Sequence, residues 1–270
     1  MSKVVANRSS GLVELNLFDE GVSGHLPNAG SGVILAAADD VYYRQFAGTF
    51  LGSLERQEQP QQVHLHLYRP SLETLQHIEG LASRFRYISL TWTVDRSPLS
   101  DRLRYRSVYY TCARFLIATR ILHMARVPVL CLDVDSIAVR PVWPVYEPAI
   151  GQGDVALIRR QEERSPLRKV LISAAGLNPT ADGLRFASNF SRALASILAI
   201  RPNHHIDQIV AHYLIEAMPG LKIAGMPRQL ADYDFSENGA LWTAKGWRLK
   251  KSNVYLEAKR QVDEVFEMAS

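Results

Sequence analysis

Residues 127–139 read VPVLCLDVDSIAV, an apolar run that ends in two aspartates separated by one residue. An apolar run of this length followed by charged residues predicts a buried strand. Side chains two positions apart in a strand point to the same side, so we expect Asp133 and Asp135 to face one crevice. Two such carboxylates suit a hard cation, Mn²⁺ or Mg²⁺, whose other ligands would be water and phosphate oxygens. The competing interpretation is a solvated turn, because Asp-x-Asp pairs are common at strand ends.

The sequence before this run alternates between short apolar stretches and stretches with helical spacing. We predict strands at 32–38, 63–68 and 87–92, and helices at 42–54, 72–84 and 109–124. This alternation predicts an α/β fold with a mostly parallel sheet flanked by helices, whose ligands bind beyond the carboxyl ends of the strands. The C-terminal half is less regular, with a predicted strand at 155–158, a loop at 176–183, and helices at 184–199 and 207–216.

Charge and cysteine content narrow the class of protein. The formal net charge of +4 suits an anionic ligand or membrane surface. Lys and Arg are spread along the chain, so no basic stripe indicates a nucleic-acid partner. Cys112 and Cys131 lie in apolar stretches without metal-site or redox spacing, which predicts two buried, reduced thiols. The sequence has neither a signal peptide nor an apolar stretch of membrane-spanning length, so we expect a cytoplasmic protein, with a peripheral membrane contact as an option.

Four blocks of the sequence resemble the nucleotide-sugar glycosyltransferases of the GT-A fold. They are most similar to the retaining galactosyl and glucosyl transferases related to glycogenin and to the lipopolysaccharide galactosyltransferases, a family 8-like group. The blocks are VILAAADDVYY at 33–43, TCARFLIATRIL at 111–122, the run at 127–139, and IDQIVAHYL at 206–214. They occur in the order found in that family and together cover most of the chain.

The resemblance implies a role for each block. In the first block, the backbone and the acidic side chains are expected to contact the nucleotide, a uridine in this family. Asp207 and Gln208 match the Asp-Gln pair beside the donor sugar and the reacting carbon, and are the expected catalytic residues. The metal ligands are expected to be Asp133 and Asp135, and the donor-binding residues Ala37, Ala38, Asp39, Asp40, Arg114, Val134, Lys245 and Gly246.

The sequence departs from the family pattern in two places. The C-terminal motif of the family supplies a His to the metal and a Lys to the diphosphate, whereas LWTAKGWRLKK at 241–251 has no His. Lys245 and Gly246 are expected to take over part of that work, with Lys245 as a phosphate ligand, and a third metal ligand is not identified. A surface loop is the alternative for Lys245. The Asn-x-Gly that follows the metal strand in the family is also missing, since ISAAGLNPT at 172–180 has two alanines before Gly176.

The other candidate residues also have purely structural interpretations. Asp39 and Asp40 suit the N-cap of the helix that follows them. Asp207 and Gln208 suit the first turn of a helix, where acidic side chains are favoured. Arg114 lies on a helix with a strong apolar face and suits a structural salt bridge, for which the aspartates of the 127–139 run are the obvious partners.

These features predict one GT-A-like domain over residues 1–270, of a Rossmann-like type. Residues of about 30–140 are expected to form the nucleotide-binding half and 141–270 the acceptor-side half. The expected function is metal-dependent transfer of a sugar from a UDP-sugar, with retention of the anomeric configuration. The acceptor, whether glycan, lipid or protein, is not identified. No second carboxylate is placed as a nucleophile, so a retaining enzyme is expected to use front-face displacement assisted by the leaving phosphate.

Two other classes of protein stay open at this point. The run LCLDVDSIAV also resembles the first motif of the haloacid dehalogenase-like phosphatases, in which the first Asp is a nucleophile and the second a general acid. That family needs a later acidic pair, for which the sequence offers Asp232 and Asp234. The missing C-terminal His makes a non-catalytic nucleotide-sugar or glycan-binding protein the third class.

Overall fold

The computed structural model describes residues 11–151 and 153–268. Its strands are β1 (Val22–Gly24), β2 (Val33–Asp39), β3 (Gln61–Tyr68), β4 (Ile88–Asp95), β5 (Val129–Leu132), β6 (Ser136–Ala138), β7 (Val155–Arg159), β8 (Val170–Leu177), β9 (Ile223–Gly225) and β10 (Leu241–Thr243). Its α-helices are α1 (Leu12–Gly21), α2 (Asp40–Tyr42), α3 (Gly48–Glu55), α4 (Leu72–Ala82), α5 (Arg106–Ala125), α6 (Trp143–Ile150), α7 (Pro166–Lys169), α8 (Ala181–Ala199), α9 (Asp207–Glu216), α10 (Gly246–Lys250) and α11 (Asn253–Met268).

Eight of these strands form one sheet in the order β1-β4-β3-β2-β5-β8-β7-β9, and β10 pairs with β6 beside it. Strands β4, β3, β2 and β5 run parallel to one another and form the N-terminal part of the sheet. Strand β8 runs antiparallel between β5 and β7. The predicted α/β fold with a mostly parallel sheet flanked by helices is confirmed.

Helices cover both faces of this sheet and bury its apolar residues. On one face α5 packs against α8, where the ring centroids of Phe115 and Phe190 are 5.0 Å apart. On the other face Phe50 of α3 and Tyr146 of α6 are fully buried. Both cysteines are buried and free, as predicted. Among residues 11–151 and 153–268, no helix has both the length and the apolar character needed to cross a bilayer.

The chain passes from β2 into a helix without a loop. Asp39 is the last residue of β2, and its carboxylate accepts a hydrogen bond from the backbone N–H of Tyr42 at 2.9 Å. This contact satisfies one of the N–H groups left free at the start of a helix. α2 then continues through a π-helical stretch, Tyr43–Ala47, into α3. The start of this long helical segment is therefore fixed at the edge of the sheet.

Strand β8 is the main element that the sequence analysis missed. The loop predicted at 176–183 is shorter in the structure, because β8 continues to Leu177 and α8 already begins at Ala181. Both predicted bounds of the loop were therefore wrong. Thr180 caps α8 by accepting a hydrogen bond from the N–H of Gly183 at 2.9 Å. Gly176 permits close packing against Tyr146, since an added Cβ would lie 2.0 Å from the phenol oxygen. The glycine signals a tight contact inside a strand, and not a loop.

Candidate active site

A cavity of about 570 Å³ opens beyond the carboxyl ends of β2 and β5. The two strands are parallel neighbours, with Leu35 paired to Cys131, so Asp39 and Asp133 reach the same edge of the sheet. Ligands of open α/β sheets bind at such an edge. We call this space the main cavity; it is lined by Ala37, Ala38, Asp39, Tyr42, Tyr68, Arg106, Ser107, Tyr110, Thr111, Arg114, Asp133, Val134, Asp135 and His205.

The two adjacent aspartates of the first block have different surroundings. Asp39 caps α2 and also lines the main cavity, so its structural interpretation and its predicted donor contact are compatible. The carboxylate of Asp40 instead accepts a hydrogen bond from the backbone N–H of Ser71 at 2.9 Å and lies 3.5 Å from Arg44. The structure brings Ala37, Ala38 and Asp39 to the cavity and leaves Asp40 outside its lining.

Arg114 connects the central helix to the end of the strand that carries the acidic pair. One guanidinium nitrogen lies 2.5 Å from a carboxylate oxygen of Asp133, and another donates to the carbonyl of Ile172 at 2.8 Å. The side chain is nearly buried, and an arginine in such a place requires charged and carbonyl partners. The predicted proximity of Arg114 to the acidic pair is therefore correct, and so is the salt-bridge interpretation.

Asp135 is held by a cation that the sequence analysis did not single out. The ammonium nitrogen of Lys250, the last residue of α10, lies 2.6 Å from one carboxylate oxygen of Asp135. Burial raises the pKa of Asp135 to about 6; the charge of Asp133 adds to this rise and Lys250 opposes it. The other carboxylate oxygen is shielded from solvent and has no hydrogen-bond partner. Asp135 is thus a buried member of an ion pair, unlike the more open Asp133.

The donor set does not fit a divalent cation in this arrangement. Residues 11–151 and 153–268 contain no group of three or more His, Cys, Asp or Glu side chains placed to hold a metal. Of the predicted ligands, the side chain of Asp133 is 35% exposed, whereas that of Asp135 is 11% exposed and paired with Lys250. A metal at this pair would have to displace the ammonium group or reach a shielded oxygen. The predicted Mn²⁺ or Mg²⁺ site stays a prediction, and no chemical step below depends on it.

A second, smaller cavity of about 140 Å³ adjoins the first and contains the predicted catalytic pair. It shares Thr111, Arg114, Asp133 and His205 with the main cavity. Asp207, at the start of α9, is buried in its wall. Burial raises the pKa of Asp207, and the Arg114 guanidinium opposes that rise. The structure thus brings the fourth sequence block beside the second and third, as the resemblance implied.

Gln208 and Lys245 also line the smaller cavity. In the amide orientation that satisfies both of its ends, Gln208 donates to the carbonyls of Leu167 and Val170 at 2.9 and 3.1 Å, so it also anchors the start of β8. Lys245 lines the smaller cavity, with its ammonium nitrogen 5.7 Å from the ring centre of Tyr233. Burial lowers the pKa of Lys245, and the positive charge of Arg160 adds to this effect.

Gly246 follows Lys245 but lines neither cavity. Its φ of +75° lies in the left-handed region that favours glycine, and open space surrounds the position of a Cβ. This glycine turns the chain into α10. Its predicted contact with the donor stays a prediction.

Aromatic side chains complete the main cavity and were not predicted. The rings of Tyr68 and Tyr110 stack with centroids 4.3 Å apart, and the Tyr68 hydroxyl donates to the carbonyl of Tyr110 at 2.6 Å. His205 also lines the cavity, although adjacent histidines in a polar loop carry no clear signal of a site. The only sequence signal for the tyrosines is their position in β3 and at the start of α5, the elements that border the cavity.

No protein-family model and no curated protein matches the sequence at a significant level. Solved structures do match it. The bifunctional glycosyltransferase WbbM has a TM-score of 0.60 at 11% identity, over 92% of this chain and 53% of its own chain. The galactosyltransferase LgtC, in complex with donor and acceptor sugar analogs, has a TM-score of 0.58 at 14% identity, over 88% of this chain and 100% of its own. The glycosyltransferase GlyE of Streptococcus pneumoniae TIGR4 has a TM-score of 0.57 at 14% identity, over 90% of this chain and 64% of its own.

The chain therefore spans about half the length of WbbM and less than two thirds of GlyE, but the whole length of LgtC. A fold shared at such low identity hosts functions that depend on the residues of the site. The chain has the GT-A-like, Rossmann-type fold of these glycosyltransferases.

Proposed function

We propose that the protein transfers a sugar from a nucleotide diphosphate sugar, with a UDP-sugar as the first candidate, to an acceptor hydroxyl group. One observation carries this proposal: Arg114 and Asp133 line both cavities, so one elongated ligand can place a nucleotide in the larger cavity and a sugar in the smaller. A nucleotide diphosphate sugar has this shape, with its negative charges between the base and the sugar. The fold shared with glycosyltransferases supports the same assignment.

The main cavity offers a suitable surface for the nucleotide. Tyr110 presents a ring already stacked on Tyr68, and a base that packs on such a platform gains about 1–3 kcal/mol. Ala37 and Ala38 are small, so the base or ribose can approach the backbone of β2 closely. Arg106, whose side chain is 58% exposed, adds a positive charge at the cavity wall.

The smaller cavity offers polar groups for the sugar and the reacting carbon. Asp207 is positioned to accept hydrogen bonds from sugar hydroxyl groups, and we propose it as the residue that orients the donor. Lys245 and Arg114 carry positive charge beside it and would stabilise the departing diphosphate. In the reaction, the bond from the anomeric carbon to the phosphate oxygen breaks, and its electron pair stays with the diphosphate.

The acceptor oxygen forms the new bond to the anomeric carbon, and its proton passes to the leaving phosphate. We propose retention of configuration by this front-face route, which needs neither a protein nucleophile nor a protein base. Of the two carboxylates in the smaller cavity among the described residues, Asp133 is paired with Arg114 and Asp207 is proposed to orient the donor, so no further carboxylate is left as the general base of an inverting reaction. The acceptor, whether a glycan, a lipid or a protein side chain, is not identified by these two cavities. A cytoplasmic location and a peripheral membrane contact stay predictions.

The phosphatase alternative finds less support in the geometry. Its later acidic pair, Asp232 and Asp234, lies in a loop where Asp232 accepts hydrogen bonds from the N–H groups of Asp234 and Ser236 at 2.9 and 2.8 Å. A carboxylate that closes a turn in this way is committed to the loop. Neither residue lines the main or the smaller cavity.

The test is incubation of the purified protein with a panel of UDP-, GDP- and ADP-sugars, with and without Mn²⁺, and measurement of released nucleoside diphosphate. Release that depends on one nucleotide and falls in Asp207→Asn supports the transferase. Hydrolysis of a simple phosphomonoester, with no release from any nucleotide sugar, would support the phosphatase. Nucleotide-sugar binding without any turnover would support the non-catalytic binding protein.

A further inference from the structure

Lys250 is a buried lysine whose surroundings are arranged for a positive charge. Its side chain is 7% exposed. Burial of an ammonium group is costly unless the charge is paired and hydrogen-bonded. Here the ammonium nitrogen lies 2.6 Å from a carboxylate oxygen of Asp135 and donates to the hydroxyl group of Tyr42 at 3.1 Å. Both partners line the main cavity, so Lys250 contacts the cavity wall from behind.

Three aromatic rings surround the same ammonium group. Its nitrogen lies 4.6 Å from the ring centre of Tyr42, 5.2 Å from that of Phe46 and 5.4 Å from that of Trp247. The faces of aromatic rings attract cations at such distances, and more strongly where water is excluded. Trp247 comes from the same short helix as Lys250, whereas the other two rings come from the helical segment after β2. Two distant parts of the chain thus meet around one charge.

The charge of Asp135 explains why a cation is needed here. Asp133 and Asp135 follow the same strand, and two bare carboxylates at the cavity wall would repel a diphosphate. In this structure each carboxylate has its own cationic side chain, Arg114 for Asp133 and Lys250 for Asp135. The two pairs are electrically balanced without a metal ion.

We propose, on the basis of the proposed function, that the Lys250 ammonium takes the place of a divalent cation beside Asp135, so that the main cavity binds a nucleoside diphosphate without metal. Lys250 is a positioning residue in this role, because it acts through Asp135 and Tyr42. It neutralises the carboxylate that would otherwise repel the diphosphate. It also fixes the hydroxyl group of Tyr42 at the cavity wall.

The experiment is isothermal titration of the whole chain with UDP, and then with GDP and ADP, in buffer with EDTA and in buffer with Mn²⁺. The wild-type protein is expected to bind its preferred nucleotide with affinities within about twofold of each other in the two buffers. Lys250→Met removes the charge and keeps most of the stem. We expect it to lose about tenfold or more in affinity in EDTA, and to regain affinity when Mn²⁺ is added, because Asp135 is then free to bind the metal.

Lys250→Arg keeps the charge and is expected to bind the nucleotide without metal. If Lys250 acted only through the packing of its side chain, retention of the charge would not be enough to preserve this binding. Lys251→Met is the matched control, because Lys251 is the exposed neighbour of Lys250, and its binding is expected to be unchanged. Thermal melting verifies that each variant is folded. If Lys250→Met does not fold, the inference is tested by the wild-type affinities in EDTA and in Mn²⁺, together with the affinity of Lys250→Arg in EDTA.

Two results would overturn the inference while leaving the proposed function intact. One is wild-type binding that is lost in EDTA and restored by Mn²⁺. The other is a folded Lys250→Met that binds the nucleotide in EDTA as well as the wild type does. Absence of nucleotide binding in both buffers would instead contradict the proposed function, and this inference would fall with it.

Discussion

One terminal nitrogen of Arg114 lies 2.5 Å from the carboxylate of Asp133, while the other donates to the carbonyl of Ile172 at 2.8 Å. A single side chain of α5 therefore joins the end of β5 to its antiparallel neighbour β8. The same guanidinium forms part of the wall between the two cavities. Arg114 therefore connects the two strands and also lines both cavities.

Replacement of Arg114 by Met is expected to reduce both the stability of the fold and ligand binding. The change leaves the partly exposed Asp133 carboxylate and a buried strand carbonyl without their partner. Loss of the partner of such a polar group costs about 1–3 kcal/mol. Urea unfolding measures this loss as a lower midpoint. Arg248→Met removes an exposed arginine and serves as the control, with an expected change of less than about 0.5 kcal/mol. Equal stability of the two variants would show that the contact with Asp133 is not stabilising.

Asp207→Asn is expected to lower the rate of sugar transfer by about a hundredfold or more, because the amide cannot replace a carboxylate in orienting the donor. Nucleoside diphosphate affinity is expected to stay within about twofold of wild type, since Asp207 lines the smaller cavity and not the main one. Steady-state kinetics and nucleotide titration separate the two effects. Glu216→Gln, at the exposed end of the same helix, is the control. A parallel loss of affinity and rate would place Asp207 in nucleotide binding instead.

Tyr110→Ala is expected to weaken nucleotide binding by about 1–3 kcal/mol, roughly five- to 150-fold in Kd, through loss of a stacking surface for the base. Tyr110→Phe keeps the ring and is expected to bind like the wild type. Tyr213→Ala removes a partly exposed tyrosine from α9, away from the main cavity, and is the control. Titration with the nucleotide measures all three. Similar affinities for Tyr110→Ala and the wild type would exclude this ring as the base platform.

Acid is expected to destabilise the fold through His64, which lies inside the sheet. Its two ring nitrogens are each 2.9 Å from a threonine hydroxyl group, of Thr91 and of Thr93. Burial lowers the pKa of His64 to about 3, with the charge of His66 adding to the effect. The unfolded chain, with a His pKa of about 6.5, therefore binds a proton that the folded chain does not. The contribution of His64 to stability is present above about pH 6.5 and is lost as the pH falls toward 3.

Urea unfolding at several pH values between neutral and mildly acidic tests this expectation. Uptake of one proton on unfolding gives a slope of at most about 1.4 kcal/mol per pH unit. His64→Gln removes the titrating group, so its stability should fall less steeply with acid, whatever its stability at neutral pH. Identical slopes for the variant and the wild type would assign the pH dependence to other groups.

Much of the parallel half of the fold could be predicted from the sequence, because its strands are short apolar runs or stretches in which apolar and polar residues alternate, and its helices have clear spacing. β5 and the two aspartates after it show this, as the apolar run places both carboxylates at the sheet edge. β8 could not be predicted, since Gly176 is small for a packing reason that depends on Tyr146, a residue thirty positions earlier in the chain. Tertiary contacts of this kind leave no local signal.

The residues of the candidate site also differ in how well the sequence predicts them. The residues that end strands or begin helices, such as Asp39, Asp133 and Asp207, could be located because their positions follow from the elements that carry them. Lys250 could not be identified, since its role depends on a contact with Asp135 across more than a hundred residues of sequence. Asp40 was predicted to bind the donor but does not line the cavity, whereas its neighbour Asp39 does. The sequence could not distinguish the two, because both are aspartates at the same strand end.

Two residues that lie far along the chain from Asp135 bind its carboxylate and its backbone carbonyl. Lys250 pairs with its carboxylate, and the hydroxyl group of Tyr255 donates to its carbonyl at 2.8 Å, a contact between residues 120 positions apart. A ribosome makes β5 long before either partner emerges, so the charged end of this strand must remain hydrated until α10 and α11 have been synthesised. Asp135 therefore gains these partners only after more than a hundred further residues have been synthesised, and a protease that removed only these two helices would leave its carboxylate without Lys250 while the strands of the sheet stay uncut.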